Sequence, residues 1–295
     1  MFVPCFPNRL IRSACLWATL LLLLFPIDSS ASEPAFSIVN ASIQQSDNGA
    51  VAPSDYEFLP GDPLYVVFEI SGFGVKADEE KDTKSISLTW AIRVTDQDDV
   101  LLAPAQEGEI KTGLSAEDKK WLPKRRAEFA LPQLLSAGKY RVHITAKDLL
   151  SNTETAKDLT FAIGGHKVEP SRSIGPQQLR FSREEGGPAL EVAAFRPGDT
   201  IFTSFDITGF AQTAEHQYRV TYRFDVFGPD RKAFVKQPQA VELSAAPFYP
   251  AKFLPVNFSI LAPSESPRGE YTLVLTITDE ISKQSSETKS TLTLE

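Results

Sequence analysis

At 295 residues, with 42% hydrophobic and 23% charged side chains, the chain is long enough for two cored domains and has neither a disordered nor a fibrous composition. Its formal charge of −8 becomes −9 without the first 31 residues, which argues against a generic nucleic-acid binder.

Residues 1–31 read as a secretory signal peptide. Arg9 and Arg12 charge its start, Ala14 to Phe25 supplies an apolar run, Pro26 breaks it, and Ser29-Ser30-Ala31 offers small residues for cleavage. The apolar run is short for a bilayer span, so no transmembrane segment is expected after cleavage, with an uncleaved anchor as the alternative. Cys5 and Cys15 both lie in this segment, and the rest of the chain has no cysteine. An exported chain without disulfides is held by packing alone, which fits a bacterial envelope and a secreted or periplasmic location. In that setting the sequons at Asn40 and Asn257 carry little weight.

From Phe36 onward the hydrophobic period is two. Leu64, Val66, Phe68 and Ile70 alternate with Tyr65, Val67, Glu69 and Ser71, as in a strand with one face on a core. Before this strand stands Phe58-Leu59-Pro60-Gly61-Asp62, and after it Gly72-Phe73. The whole arrangement recurs 137 residues later, from Phe195-Arg196-Pro197-Gly198-Asp199 to Gly209-Phe210. The next strand sets Ile86, Leu88, Trp90, Ile92 and Val94 against Tyr218, Val220, Tyr222, Phe224 and Val226, at an offset of 132. The first copy therefore carries five extra residues in the loop Val75 to Lys84, where insertions cost little. Each copy closes with a hairpin at offset 131: Gly138-Lys139-Tyr140 into Val142, Ile144 and Ala146, then Asp148 and Ser151, against Gly269-Glu270-Tyr271 into Leu273, Leu275 and Ile277, then Asp279 and Ser282.

That hairpin resembles the last one of bacterial immunoglobulin-like and fibronectin type III-like domains. The resemblance implies a tyrosine corner at Tyr140 and Tyr271, with Trp90 and Tyr222 filling the two centres. Val142 and Leu273 stand where antibody domains place a cysteine, so the disulfide-bonded type is excluded. The resemblance implies no catalytic residues, because this architecture serves adhesion, spacing and display. The expected fold is all-β, with two tandem immunoglobulin-like β-sandwich domains at 33–165 and 177–295 joined by a turn-rich linker at 166–176.

Chemistry is sparse. His143 turns outward, His166 opens the linker and His216 lies in a loop; no pair has metal-ligand spacing, and no nucleophile elbow is present. Asp96-Gln97-Asp98-Asp99 looks like a calcium loop, but Leu101 replaces the required glycine and the second copy has a plain Gly228-Pro229-Asp230 turn. It reads as a structural turn, with calcium between the domains as the alternative. Asp62, Asp199, Asp148 and Asp279 read as turn residues. No metal, cofactor or catalytic residue is expected.

One segment has no full counterpart. Lys119, Lys120, Trp121, Lys124, Arg125 and Arg126 gather five cations around an indole, whereas the second copy keeps only Lys252 beside Phe253-Leu254-Pro255. Ser115 to Asp118 is expected to form a helical turn, with Trp121 and Leu122 tucked against the sandwich and the cations on one rim. These six residues are the candidate partner-binding site. The partner would be an envelope protein or an anionic polysaccharide, and the chain a non-enzymatic interaction or spacer protein. The alternative is a carbohydrate-binding accessory module with Trp121 or Phe248-Tyr249 as a stacking platform.

Overall fold

The computed structural model describes residues 35–78, 83–115, 118, 120–165 and 167–295. The signal segment, Lys119 and His166 lie outside the described residues. Nine strands come from the first copy: β1 (Ser37–Gln44), β2 (Glu57–Phe58), β3 (Pro63–Ser71), β4 (Lys76–Asp78), β5 (Thr83–Thr95), β6 (Gln106–Leu114), β7 (Lys124–Ala130), β8 (Gly138–Asp148) and β9 (Thr153–Ile163). They form a sheet of order β1-β3-β7 and a second of order β2-β9-β8-β5-β4, with β6 also paired to β5. The second copy supplies β10 (Gly175–Ser182), β11 (Ala194–Phe195), β12 (Thr200–Thr208), β13 (Tyr218–Phe227), β14 (Ala233–Lys236), β15 (Val241–Ala245), β16 (Leu254–Leu261), β17 (Gly269–Asp279) and β18 (Ser285–Leu294). Its sheets are β10-β12-β16 and β11-β18-β17-β13-β14, with β15 also on β13. Among the described residues no sheet crosses from one copy to the other, and the protein is a tandem of β-sandwiches.

The alternation read from the sequence sets the inner faces. Leu64, Val66, Phe68 and Ile70 of β3 are fully buried against Leu88, Ile92 and Val94 of β5 and Val142 and Ile144 of β8. In the second sandwich Phe205, Ile207, Val220 and Ile277 do the same at one end, and Ile201, Val226, Tyr271 and Leu273 at the other. Stacked Phe224 and Phe258, 4.0 Å apart, join the two ends.

The duplication reaches single hydrogen bonds. In the Pro-Gly-Asp turns the amides of Leu59 and Arg196 each donate to the following aspartate, Asp62 or Asp199, at 2.8 Å. Gly61 and Gly198 supply the positive φ those turns need, at 88° and 101°. Tyr140 donates to the Ser136 carbonyl at 2.8 Å and Tyr271 to the Pro267 carbonyl at 2.7 Å, the expected tyrosine corner in both copies. Asp148 and Asp279 are fully buried knots. Asp148 accepts from the amides of Gly74 and Leu150 and the Ser151 hydroxyl; Asp279 accepts from Ala211, Ile281 and the Ser282 hydroxyl. Each ties the loop after the Gly-Phe motif to the closing hairpin. Burial alone would raise both carboxyl pKa values, but these donors hold them below the usual range.

Two expectations need correction. In the segment that carries the extra residues of the first copy, Lys76–Asp78 form β4 and pair with the start of β5 at Thr83 rather than looping freely, with residues 79–82 outside the described residues. The expected burial of the two centre aromatics holds for Tyr222, 8% exposed, whereas Trp90 is only half-buried. Its indole meets Phe68 edge-on and spreads over its ladder neighbour Gly108 of β6, which has no side chain to cover it, where Tyr222 has Val241 beside it.

Candidate functional site

The basic segment is less of a patch than its sequence suggests. Asp118 accepts from the Ser115 amide at 2.7 Å and the Ser115 hydroxyl at 2.8 Å, and its carbonyl accepts from the Trp121 amide at 3.1 Å. Ala116, Glu117 and Lys119, on which the expected helical turn depends, lie outside the described residues. The Pro123 carbonyl then accepts from Ile70, which starts β7 as an edge strand against β3. Alternation puts Arg125 on the face of buried Ala127 and Phe129, and Lys124 and Arg126 on the other. The three cations therefore do not share one rim. Arg126 is paired with Asp47 and also donates to Gln44, and Arg125 donates to the Lys124 carbonyl at 2.8 Å. Lys120 and Lys124 are exposed. Trp121 is 40% exposed rather than tucked in, while the matching Phe253 is 4% exposed. Copy two fills that niche with a single ring; the wider indole stays on the surface.

The buried carboxylate that reaches furthest along the chain is Asp96, in the turn after β5. Only 4% exposed, it accepts through Oδ1 from the amides of Asp98 and Val100, at 2.9 and 3.0 Å. Its Oδ2 accepts from the Tyr249 hydroxyl and from Lys252 Nζ, both at 2.9 Å. Tyr249 and Lys252 lie in the loop between β15 and β16 of the other sandwich, so this carboxylate is the joint of the tandem. Tyr249 is 3% exposed and packs into the first sandwich's core, while Leu134 of the first packs against the second's. Burial pushes the Asp96 pKa up, but the bonds from Lys252, Val100 and Tyr249 outweigh it and hold the carboxyl ionised. Tyr249 is pushed the other way by burial and then by the Asp96 charge, so it remains a donor. The acidic turn singled out in the sequence is thus structural, and the cation it holds is an ammonium. Residues 34–295 form one compact unit.

Beside the joint runs an apolar groove of about 620 Å³, lined among others by Ala103, Pro104, Phe129, Leu134, Pro247 and Phe248. Phe248 is 50% exposed and its carbonyl accepts from His216 Nδ1 at 2.6 Å. Phe248 and Tyr249 do not form a stacking platform, because Tyr249 is consumed by the joint. Sequence reasoning missed Tyr249, Lys252 and Tyr218 as joint and groove residues. The available signal was departure from the repeat: at offset 132 Asp96 faces Gly228, Tyr249 faces Glu117 and Tyr218 faces Ile86, whereas Lys252 matches Lys120 and gave none. Among the described residues no three His, Cys, Asp or Glu side chains converge as a metal site.

Neither a protein-family model nor a curated protein matches the chain. Among solved structures it is similar to the C-terminal domain of the Streptococcus pyogenes antigen I/II-family protein AspA, at 12% identity and TM-score 0.31, covering 88% of this chain and 100% of that one. The C-terminal domain of the Streptococcus agalactiae AgI/II polypeptide BspA gives 10% identity, TM-score 0.30, and coverage of 88% and 99%. A transglutaminase of red sea bream gives 11% identity, TM-score 0.24, and coverage of 86% and 31%. Nothing in the functional reading rests on likenesses this loose.

Proposed function

We propose that this is a non-enzymatic interaction and spacer protein of the cell envelope, exported by its N-terminal segment, whose two sandwiches act as one stiff body. The observation that carries the reading is the joint. A buried carboxylate satisfied by four donors, two of them from the other sandwich, opposes bending far more than a turn-rich linker would. Lys119, Lys120, Trp121, Lys124, Arg125 and Arg126 are the proposed contact for an anionic envelope partner, with the exposed Lys120, Trp121 and Lys124 at its front and Arg126 held back by Asp47.

Small-angle scattering tests the body. The mature protein is expected to fit one rigid particle, and Asp96→Ala to broaden the distribution of dimensions; a wild type already as broad as the variant would sink the reading. Capture from an envelope fraction tests the contact. Retention should fall with added salt and with Lys120→Glu plus Lys124→Glu, and equal retention by that variant would remove the segment from the site.

A further inference from the structure

The groove beside the joint carries a further inference, which deepens the interaction reading and rests on the two sandwiches being held together. Four observations meet there. Tyr218, 8% exposed, lines it, and among the described residues its hydroxyl has no hydrogen-bond partner; burial holds it protonated, so it is a donor open to the groove. Glu128 is the one ionisable carboxylate in the lining, exposed, without an ion-pair partner among the described residues, on a protein of net negative charge. Two sheet edges border the groove, since Glu128 to Ala130 belong to edge strand β7 and Ala245 to edge strand β15, although the Glu128 carbonyl already accepts from Gln106 Nε2 at 2.6 Å. The apolar walls, finally, continue the buried contact that Tyr249 and Leu134 make between the sandwiches.

We propose that this groove docks an extended, apolar peptide segment of a partner protein, carrying one Lys or Arg. Strand edges present backbone donors and acceptors at a spacing that suits another backbone. A lipid or a sugar has no use for that spacing. The apolar side chains of the peptide would take the place of water against Pro104, Pro247 and Phe248; a peptide carbonyl would accept from Tyr218; the cation would meet Glu128. The proline-rich wall donates no hydrogen bonds of its own, which favours apolar over polar side chains in the ligand. Copy one has Ile86 where copy two has Tyr218, so only the junction end of the second sandwich is equipped in this way.

The test is a displayed library of random dodecapeptides panned against the intact protein, followed by titration of the selected peptides. Selected sequences should be apolar with a Lys or Arg. Glu128→Gln should weaken them by about tenfold and Tyr218→Phe by about fivefold, in line with a charged and a neutral hydrogen bond. Exchanging the peptide cation for Gln should weaken binding to the wild type by about tenfold and leave binding to Glu128→Gln unchanged. An acidic or charge-free consensus, no selected peptide at all, or affinities unmoved by both variants would overturn the proposal. Scattering of the same samples separates the two readings: failure to bind by a rigid body removes the groove alone, whereas a loose body removes the joint as well.

Discussion

In the first sandwich β5 is flanked along most of its length by the unbroken β6. In the second the matching edge of β13 is split into β14 and β15. The split falls at Gln237 and Pro238. Proline cannot donate to a ladder, and the Gln237 side chain accepts from the Phe224 amide at 2.9 Å in place of a strand neighbour. The turns at the strand ends differ too: Asp96 to Val100 reaches the other sandwich, whereas Gly228 to Lys232 closes a hairpin through its own backbone. The duplicated parts, namely Pro-Gly-Asp turns, aspartate knots and tyrosine corners, each hold one sandwich together. The unduplicated parts, Asp96, Tyr249 and Tyr218, gather where the sandwiches meet, and there they meet Lys252, the cation that copy two keeps.

Mutations at matched positions sharpen this division. The largest effect is expected at the centres, where Tyr222→Ala should cost about 3 to 5 kcal/mol as a core cavity, and Trp90→Ala a smaller amount because its ring is half-exposed. A denaturant melt in which Trp90→Ala cost more than Tyr222→Ala would break the contrast. Next come the knots, where Asp148→Ala and Asp279→Ala should each cost about 2 to 3 kcal/mol by orphaning buried amides. Equal losses are the expected result, and a large loss at one position alone would mean that the copies are not equivalent. These carboxyls carry depressed pKa values when folded. Their contribution is therefore present above the unfolded value of about 4 and is lost as pH falls through the folded value. Stability of the wild type should drop on the acid side of about pH 4, more steeply than that of Asp148→Asn or Asp279→Asn. The smallest effect belongs to the tyrosine corners: Tyr140→Phe and Tyr271→Phe should each cost about 1 kcal/mol. Tyr140 is the more entangled of the pair, since burial and then the Asp96 charge raise its pKa to about 12. A double variant with Asp96→Asn should therefore be non-additive for Tyr140→Phe and additive for Tyr271→Phe.

What the sequence made legible follows the same line. Period-two runs and three nearly constant offsets were enough for the strands, the two cores and the corner tyrosines, because those features are local or duplicated. The joint was hidden because Asp96 and Tyr249 are 153 residues apart and neither has a counterpart to align. The basic run was over-read for a related reason. Five cations in eight residues look like a patch, but β7 turns alternate side chains to opposite faces, and Asp47, from a distant loop, takes one of them. The indole of Trp90 stayed half-open because its ladder neighbour is Gly108, which offers no side chain to cover it, and no residue of β5 announces that pairing.

The short parallel pairs, β2 on β9 and β11 on β18, give the tandem a mechanical character. In each sandwich the early strand and the last strand run in the same direction, so tension along the chain leaves the pair from opposite ends. The backbone bonds of the pair are then loaded together in shear rather than opened one after another like a zipper. Phe58 and Ile163 in the first sandwich, and Phe195 and Leu294 in the second, bury their side chains at these pairs and must be dragged past their neighbours before the strands part. Forced unfolding follows the rate of crossing such a barrier rather than equilibrium stability, so each sandwich resists a pull in a way its disulfide-free core would not by itself provide.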